Sequence, residues 1–363
     1  MKGNDNKNEL VFFVMSLSHP RCIKRVAAFR DAGYQCIVYG YRRGLYDVNE
    51  YPDGIEVHLL GEVKNRDYKN NFWRVKKDVA KVLHQHGSKT RYYAFGFTPS
   101  LFFAIKGAHF IYECSDIRYA IPKFNKIRWL FKLIDRWLIR KSRVTVMTSG
   151  GFAVFFGAEK NEKVVILPNR VSPSLSTVVR KSLSASEHLS FGFVGLIRYW
   201  NILRFAEVIG NDFPEYSFHF FGAVDPVYSK KFEIITAKIP NVIYHGKFRS
   251  PEDLADIYRH LDLIVACYDN ATLNVQIAEP NKLYESLLFC KPIIVSSNTY
   301  LSRRVQQFGC GYVIDANEYD SVKAFIANLR IDDINRVSGN ELAISLSEII
   351  DDPSALLEKV SSL

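Results

Sequence analysis

The stretch SFGFVGLIRYWNILRFAEVIG, residues 190–210, holds a short apolar strand pattern, a glycine and the start of a helix pattern. The strand pattern ends at Gly195, and the helix pattern begins near Asn201. In open α/β sheets, ligands bind at such turns, where helix N-termini present unpaired N–H groups to anions. Gly195 would let a ligand approach the backbone. Arg198 and Arg204 could hold a pyrophosphate through charge-assisted hydrogen bonds, or both could be solvated surface charges.

Four more strand patterns follow this one, separated by helix patterns such as PEDLADIYRH (251–260). They are YSFHFFG (216–222), NVIYHG (241–246), LDLIVAC (261–267) and KPIIVSS (291–297). Strands that alternate with helices predict a parallel, doubly wound sheet. The C-terminal half is therefore predicted to be one Rossmann-like domain.

The N-terminal half shows the same alternation. Its strand patterns are LVFFVM (10–15), CIVYG (36–40), IEVHLL (55–60), YYAF (92–95), HFIY (109–112), VTVMT (144–148) and VVIL (164–167). The first of these is far shorter than the roughly 20 residues that span a bilayer, which predicts a strand rather than a signal peptide. The fold class is thus predicted as α/β, with two Rossmann-like, doubly wound parallel-sheet domains that face a central cleft.

The length of 363 residues also favours two domains, because a single core stops growing at roughly 250–300 residues. A Ser-rich stretch without apolar periodicity predicts an exposed interdomain linker at 173–188. We therefore predict an N-terminal domain at 1–172 and a C-terminal domain at 189–345. The tail at 346–363 is predicted to be a helix that could return to the N-terminal domain.

A second strand-to-helix turn lies in AEPNKLYESLLFCKPIIVS, residues 278–296. Asn281 is a candidate N-cap, and the first-turn N–H groups, with Lys282, could hold phosphate. Glu285 lies one turn inside the helix and could accept two hydrogen bonds from a ribose diol. The alternative is that Glu285 is an acidic residue that merely favours the helix dipole.

The composition indicates which binding partners and which cellular compartment suit this chain. The chain has 48 Lys and Arg against 38 Asp and Glu, a balance that favours nucleic acid, anionic lipid or nucleotide phosphates. Its six cysteines form no CxxC pair and mostly lie in apolar runs, which predicts buried, reduced thiols and a cytoplasmic location rather than disulfides or zinc. No GxGxxG follows a strand, which disfavours a dehydrogenase.

Taken together, these segments resemble the retaining glycosyltransferases of the GT-B fold, in particular glycosyltransferase family 4 and its relatives in bacterial surface and capsular polysaccharide synthesis. The resemblance covers residues 10–320 and is clearest over 190–315. It implies that Arg198 and Arg204 contact the donor diphosphate beside Gly195, and that Glu285 binds the ribose. The family's earlier glutamate would fall on Ile277 here, and Glu279 could take its place.

Three other segments carry the resemblance. The turn in VIYHGKFRSPEDL (242–254) is similar to the one near the nucleotide base, so Phe248 could pack on a base or belong to the core. LSHPRCIKRVAAFRDAGYQCIVYG (17–40) resembles the family's opening pattern, with His19 in place of an aspartate. IYECSDIRY (111–119) resembles its strand-end segment, which would turn Asp116 toward the cleft.

The resemblance implies transfer of a sugar from a nucleotide-sugar donor to a hydroxyl of a glycan or lipid-linked glycan. It also implies retention at the anomeric carbon. No metal or cofactor is expected, because basic side chains and helix N-termini can neutralise the leaving diphosphate. His19 or Asp116 could orient the acceptor hydroxyl. Alternatively, His19 has no catalytic role and Asp116 caps the next helix.

Residues 122–143, PKFNKIRWLFKLIDRWLIRKSR, form a cationic amphipathic pattern. Arg128, Lys132, Arg136 and Arg140 recur at four-residue spacing, and an apolar stripe follows the other face. We expect the apolar stripe to pack on the sheet and the charged face to attach to an anionic inner-membrane surface. An ordinary surface helix has the same pattern.

Two alternatives to a transferase remain open. A nucleotide-sugar epimerase of GT-B-like fold would use nearly the same donor residues. A nonenzymatic nucleic-acid-binding protein would account for the net charge of +10 and the aromatic-basic helix. The transferase is favoured, and nucleic acid is disfavoured as a partner, because the arginine turn, the glutamate at the helix entry and the duplicated sheet agree.

Overall fold

The computed structural model describes residues 8–43, 51–64 and 67–363, which form two compact units. The first unit runs to Leu167 and also contains Pro353–Leu363, and the second unit spans Pro168–Asp352. The chain thus passes from one unit to the other between residues 167 and 168, where we predicted a domain end at 172.

The first unit is built on a seven-stranded parallel sheet in the order β3-β2-β1-β4-β5-β6-β7. The strands are β1 (Glu9–Val14), β2 (Gln35–Arg42), β3 (Glu56–Glu62), β4 (Arg91–Phe95), β5 (His109–Cys114), β6 (Val144–Met147) and β7 (Val164–Ile166). Each predicted strand of the N-terminal half is present. The strand order reverses between β1 and β4, which is where α/β sheets bind ligands.

Within the described residues of this unit, six α-helices flank the sheet: α1 (Pro20–Asp31), α2 (Tyr68–His86), α3 (Phe97–Ile105), α4 (Arg128–Lys141), α5 (Gly150–Phe156) and α15 (Ser354–Ser361). Two 3-10 helices, Arg118–Ala120 and Pro122–Ile127, precede α4. In the described part of the chain, none of the helices is both long enough and apolar enough to cross a bilayer.

The second unit contains a six-stranded parallel sheet in the order β10-β9-β8-β11-β12-β13. Its strands are β8 (Ser190–Val194), β9 (Ser217–Phe221), β10 (Val242–Tyr244), β11 (Leu263–Ala266), β12 (Ile293–Ser296) and β13 (Gly311–Ile314). The sequence predicted the first five. It missed β13, an edge strand in which only Ile314 is buried, so its apolar pattern is weak.

Nine α-helices flank the second sheet: α6 (Trp200–Asp212), α7 (Ser229–Lys238), α8 (Leu254–Arg259), α9 (Leu273–Ile277), α10 (Asn281–Phe289), α11 (Tyr300–Phe308), α12 (Tyr319–Ala327), α13 (Ile331–Leu342) and α14 (Leu346–Ile349). Strands β11 and β12 are buried along their whole length, as expected when helices cover both faces of a parallel sheet. The six cysteines are buried and unpaired, which confirms the prediction of buried thiols.

The segment predicted as an exposed interdomain linker, 173–188, contains no buried residue, as expected, but it belongs to the second unit instead of joining the two. Leu175, Val178, Leu183 and Ala185 pack against the apolar core of the second unit. The backbone N–H of Leu183 also donates to Ser338 Oγ at 2.7 Å. The segment is Ser-rich, yet its few apolar side chains and its backbone donors find partners, so it is part of the second unit.

Arg180 anchors this segment to the ends of two helices. Its guanidinium donates to the backbone carbonyl oxygens of Leu287, Glu341, Leu342 and Ile344. Cations stabilise helix C-termini because the last carbonyls have no partner within the helix. A single side chain therefore closes both α10 and α13.

We expect Arg180→Ala to lower the free energy of unfolding by about 2–3 kcal/mol, since hydrogen bonds to charged groups contribute about 1.5–3 kcal/mol. The neighbouring Lys181 is exposed, so Lys181→Ala is a matched control that should change stability by less than about 0.5 kcal/mol. Urea unfolding measures both. Equal stability of the two variants would refute the anchoring role.

The predicted helix at 346–363 is interrupted. Helix α14 ends at Ile349, Ile350 then pairs with Val171 in an isolated parallel bridge, and α15 begins at Ser354. Pro353 explains the break, because proline lacks the N–H that a helix needs and disfavours helical geometry in the residue before it. Leu356 and Val360 of α15 join the core of the first unit.

Helix α4 turns a different side toward the protein from the one predicted. Its buried residues are Asp135, Leu138 and Ile139. The Asp135 carboxylate accepts hydrogen bonds from the hydroxyls of Tyr112 at 2.7 Å and Tyr119 at 2.6 Å. Burial raises the pKa of Asp135 to about 6 despite these hydrogen bonds.

Three of the four basic residues predicted to face a membrane contact the first unit itself. Arg128 donates to the Ala120 carbonyl at 3.2 Å and Arg136 to the Phe156 carbonyl at 2.9 Å. Lys132 lies 4.2 Å from the centroid of the Phe155 ring. Arg140 is exposed. Arg128, Lys132, Arg136 and Arg140 therefore do not form one solvent-facing charged side of α4. Asp135 and Ile139, which lie next to these residues on the helix, are buried against the protein.

A pair of histidines at the β9–β10 edge makes stability sensitive to acid. His219 Nδ1 lies 2.9 Å from His245 Nε2, and the rings stack at 5.2 Å. Burial, with smaller contributions from His245 and His260, lowers the pKa of His219 from 6.5 to about 4. The unfolded chain therefore takes up its proton first as the pH falls.

Stability is thus expected to decrease between pH 6.5 and 4, where the unfolded state binds more protons than the folded state. His219→Gln should flatten this part of the profile of unfolding free energy against pH. Superimposable wild-type and variant profiles would contradict the assignment.

Candidate functional site

The second sheet reverses its strand order between β8 and β11, so the chain leaves these neighbouring strands in opposite directions. Gly195 directly follows β8, and Tyr268 and Asp269 follow β11. Such a reversal leaves a crevice at the carboxyl edge of an open α/β sheet, where ligands bind. Most of the predicted donor-binding residues lie along this edge.

Two glycines shape the backbone there. Gly195 has φ +147° and Gly222, which follows β9, has φ +133°, values that side chains rarely permit. A Cβ on Gly222 would lie 1.9 Å from the Gly195 carbonyl oxygen. The two turns can therefore touch only because residue 222 is glycine, and Gly195 offers bare backbone to a ligand.

Lys282 joins the Gly195 turn to helix α10. Its Cε lies 3.7 Å from the position of a Cβ at Gly195, and its Nζ lies 2.5 Å from Glu285 Oε2. The Lys282 and Glu285 side chains are only 7% and 5% exposed. Tyr258 also donates its hydroxyl to Glu285 Oε2, at 2.7 Å. We call Tyr258, Asn281, Lys282 and Glu285 the α10 cluster.

Asn281 is not the N-cap that the sequence predicted. Helix α10 is preceded by Pro280 as N-cap, and Asn281 is its first residue. The Asn281 side chain donates to Glu285 Oε1, one turn on, which leaves it no part in capping the backbone. Proline before the helix is compatible with this start because the first-turn N–H groups need no intrahelical partner.

The structure leaves Glu285 fewer acceptor positions for a ribose than the sequence predicted. An ionised carboxylate offers about four acceptor positions, and Tyr258, Asn281 and Lys282 occupy three of them. About one position on Oε1 then remains for a ribose hydroxyl, where two were expected. Glu285 is therefore placed to hold Lys282 beside Gly195 and to accept at most about one hydrogen bond from a ligand.

Glu279 does not belong to the α10 cluster. Its Oε1 accepts hydrogen bonds from Arg304 Nε at 3.1 Å and from the Tyr284 hydroxyl at 2.5 Å. Its side chain is 2% exposed. This buried pairing ties the loop before α10 to α11, a structural task that the spacing of the two glutamates did not reveal.

The two predicted arginines have different surroundings. Arg198 is exposed, and its guanidinium carbon lies 5.4 Å from the centroid of the Tyr199 ring. Arg204 is half-buried and donates through Nη1 to Asn201 Oδ1 at 2.8 Å and to the Ala316 carbonyl at 3.0 Å. Arg198 can reach a ligand at the edge, whereas Arg204 fastens α6 to the loop after β13.

Asp269, which sequence reasoning missed, occupies the N-terminus of α6. Its two carboxylate oxygens accept from the backbone N–H groups of Trp200 at 3.2 Å and Asn201 at 2.9 Å. Two of the first-turn donors expected to meet phosphate therefore already bind Asp269 at this helix. The sequence feature that could have revealed this role is an aspartate just beyond the carboxyl end of a buried strand, where side chains that bind helix N-termini are often found.

Phe248 lies at the same edge. It packs against the core on the α10 side of the sheet, and its ring centroid is 5.9 Å from Lys282 Nζ. The core interpretation is therefore confirmed for this ring, and packing on a nucleotide base stays a prediction.

The corresponding edge of the first sheet carries His19 in the turn between β1 and α1. His19 is the N-cap of α1, and its Nδ1 accepts the backbone N–H of Arg21 at 3.2 Å. Burial, with Arg21 and Arg43, lowers the pKa of His19 to about 3. The imidazole is thus neutral at pH 7. Because Nδ1 accepts this hydrogen bond, the proton of the neutral ring sits on Nε2, and Nε2 therefore cannot take a proton from an acceptor hydroxyl.

Asp116 lies two residues beyond β5 at this edge and is exposed. Arg118 donates to Thr98 Oγ1 at 3.3 Å, near the start of α3. Burial, followed by Arg43, lowers the pKa of Arg118, and Asp116 opposes that shift. Arg43 lowers the pKa of both His19 and Arg118, so these three basic residues lie near one another at this edge, with the Asp116 carboxylate beside them.

Comparison with known proteins identifies other proteins that share this architecture. No protein-family model matches the chain. The succinoglycan biosynthesis protein ExoL of Rhizobium meliloti is 20% identical over 343 residues, which cover 88% of this chain and 84% of ExoL. Sucrose-phosphate synthase from Thermosynechococcus elongatus superposes with a TM-score of 0.74 at 11% identity, over 98% of both chains.

HepE of Anabaena, solved in complex with UDP and glucose, superposes with a TM-score of 0.69 at 15% identity, over 98% of this chain and 99% of HepE. Together with the two parallel sheets of this chain, these similarities confirm the predicted GT-B fold. The prediction of two Rossmann-like domains is therefore correct for the described residues of both halves, including the N-terminal half, where the sequence resemblance was weaker.

Proposed function

We propose that this chain is a glycosyltransferase that moves a sugar from a nucleotide-sugar donor to a hydroxyl of a glycan or lipid-linked glycan, in bacterial surface polysaccharide synthesis. The observation that carries the proposal is the α10 cluster, which holds a buried lysine against the bare backbone of Gly195 at the strand reversal of a GT-B fold. The kinship with ExoL supports the polysaccharide setting.

The second unit supplies the donor site. Lys282 and Arg198 neutralise the donor diphosphate, with Lys282 replacing Arg204 in the role first assigned to that arginine. Donors fixed in place before the reaction stabilise the charge that develops on the leaving group without reorganisation. The HepE complex with UDP and glucose makes a uridine diphosphate sugar the first donor to test.

The first unit supplies the acceptor side. An acceptor hydroxyl attacks the anomeric carbon, the bond from that carbon to the diphosphate breaks, and the hydroxyl loses its proton. Asp116, an exposed carboxylate, is the better candidate to orient or accept that proton. His19 Nε2 is a hydrogen-bond donor, and Arg43 and Arg118 would favour an acceptor that carries phosphate.

Three further features complete the proposal. The reaction retains the anomeric configuration, as the family resemblance implies, and needs no metal, since Lys282 and Arg198 provide the positive charge. The enzyme works at the inner face of the bacterial membrane, where a lipid-linked acceptor would be found.

Product analysis tests this proposal. Incubation with a nucleotide sugar and a lipid-linked or soluble glycan acceptor should release the nucleoside diphosphate and yield an acceptor heavier by one sugar. A changed sugar stereocentre without transfer would establish the epimerase instead. Salt-sensitive binding to DNA or RNA, with no response to nucleotide sugars, would favour the nucleic-acid-binding alternative.

A further inference from the structure

The exposed side of helix α4 is apolar as well as basic. Trp129 is 64% exposed, Leu133 49%, Ile127 45% and Leu130 44%. Leu133 lies three positions after Leu130 and four after Trp129, so it is a neighbour of both on the same side of the helix. Large apolar side chains that cluster at a surface usually mark an interaction site.

Helix α2 extends this surface. The Tyr68 ring contacts the Phe124 ring at 6.4 Å, which joins the start of α2 to the 3-10 helix before α4. Tyr68 itself is 39% exposed. We define the aromatic patch as Tyr68, Ile127, Trp129, Leu130 and Leu133.

Positive charge surrounds the aromatic patch. Residues 122–143 contain eight Lys and Arg side chains and one acidic residue, Asp135. Asp135 is 1% exposed and engaged by two tyrosines, so it does not offset the charge at the surface. Lys123, Lys126, Arg140 and Lys141 are all exposed.

We infer that the aromatic patch and its basic rim bind an anionic lipid surface. Tryptophan and tyrosine favour the interfacial region of a bilayer, leucine and isoleucine enter the acyl boundary, and lysine and arginine attract anionic headgroups. Nucleic acid would match the charge but would leave the exposed leucines and isoleucine unexplained. This inference deepens the proposed function by specifying where the enzyme meets its lipid-linked acceptor.

The surface differs from the stripe that the sequence suggested. Arg128, Lys132 and Arg136 contact the first unit itself. The lipid-facing side is instead centred on Trp129 and Leu133, with Arg140 at its end. The variants that test it therefore lie outside the stripe of four basic residues.

Flotation of the full chain with phosphatidylcholine vesicles, with and without phosphatidylglycerol, tests the inference. Binding should require phosphatidylglycerol and weaken with salt. Trp129→Ser with Leu133→Ser should reduce it by about tenfold or more, and Lys123→Gln with Lys126→Gln by about tenfold. The matched controls are Val227→Ser with Ile234→Ser and Lys230→Gln with Lys238→Gln, exposed residues of the second unit; they should bind as wild type.

Equal binding by the Trp129/Leu133 variant and its control would overturn the inference. A second outcome would also overturn it: the wild-type chain forms a concentration-dependent dimer, does not bind vesicles, and loses the dimer in the Trp129/Leu133 variant. The patch would then join two copies of the chain. Stabilisation by nucleotide sugars is measured on the same variants and should persist. If nucleotide sugars do not stabilise the wild-type chain, that result counts against the proposed function, whether or not the chain binds vesicles.

Discussion

Glu285→Ala is expected to lower the free energy of unfolding by about 3–5 kcal/mol, the usual effect of removing one partner from a buried ion pair. The reason is that Lys282, whose side chain is 7% exposed, would lose its buried ionic partner. Stabilisation by the donor nucleotide should disappear as well. Urea unfolding and thermal shift with nucleotide measure the two effects.

An apolar version of the α10 cluster separates these effects. Replacement of Tyr258, Lys282 and Glu285 together by Phe, Met and Leu removes both charges and the buried hydroxyl. Such exchanges are often neutral or stabilising, so most of the lost stability should return. The response to nucleotide should remain absent. A triple variant that again responds to nucleotide would remove the cluster from the donor site.

Arg198→Ala is expected to reduce kcat/KM for transfer by about 100- to 1000-fold, the usual cost of losing one fixed donor to a developing charge. Because Arg198 is exposed, the free energy of unfolding should change little. Arg336 is an exposed control that pairs with Asp333 in its own helix, α13. Steady-state kinetics of both alanine variants provide the comparison, and equal activity would exclude Arg198 from the site.

The sheet architecture could be predicted because it rests on local signals. Strands β1–β12 are short runs of β-branched and aromatic residues, separated by helical periodicity. Strand β13 escaped because three of its four residues, at the edge of the sheet, are only partly buried. The linker prediction failed for a related reason, since the contacts of Arg180 and Leu183 come from residues more than 100 positions away.

The candidate site could be predicted as a place but not as a set of contacts. Gly195, Lys282 and Glu285 lie together as the turns suggested. Which cation is available, however, depends on pairing that spacing does not encode. Arg204 Nη1 binds Asn201 and Ala316, Lys282 Nζ binds Glu285, and Asp269 binds two N–H groups at the N-terminus of α6.

Buried charge is the feature that single-sequence patterns hide most completely. Arg25 and Glu113 form an ion pair at 3.2 Å in the core of the first unit, 88 positions apart. Asp135 sits on the packed side of a helix whose sequence looks uniformly cationic at its surface. Each looks like a solvated residue until the long-range partner is known.

The most direct test of the central claim is thermal unfolding of the wild-type chain with UDP, GDP, CDP and their common sugar conjugates. A ligand at 100 times its dissociation constant adds about 2.7 kcal/mol to stability. We predict that one nucleotide family raises the unfolding temperature and that the apolar triple variant at 258, 282 and 285 does not respond. Silence of the wild-type chain toward every nucleotide, or an equal response of the triple variant, would contradict a donor site at the α10 cluster.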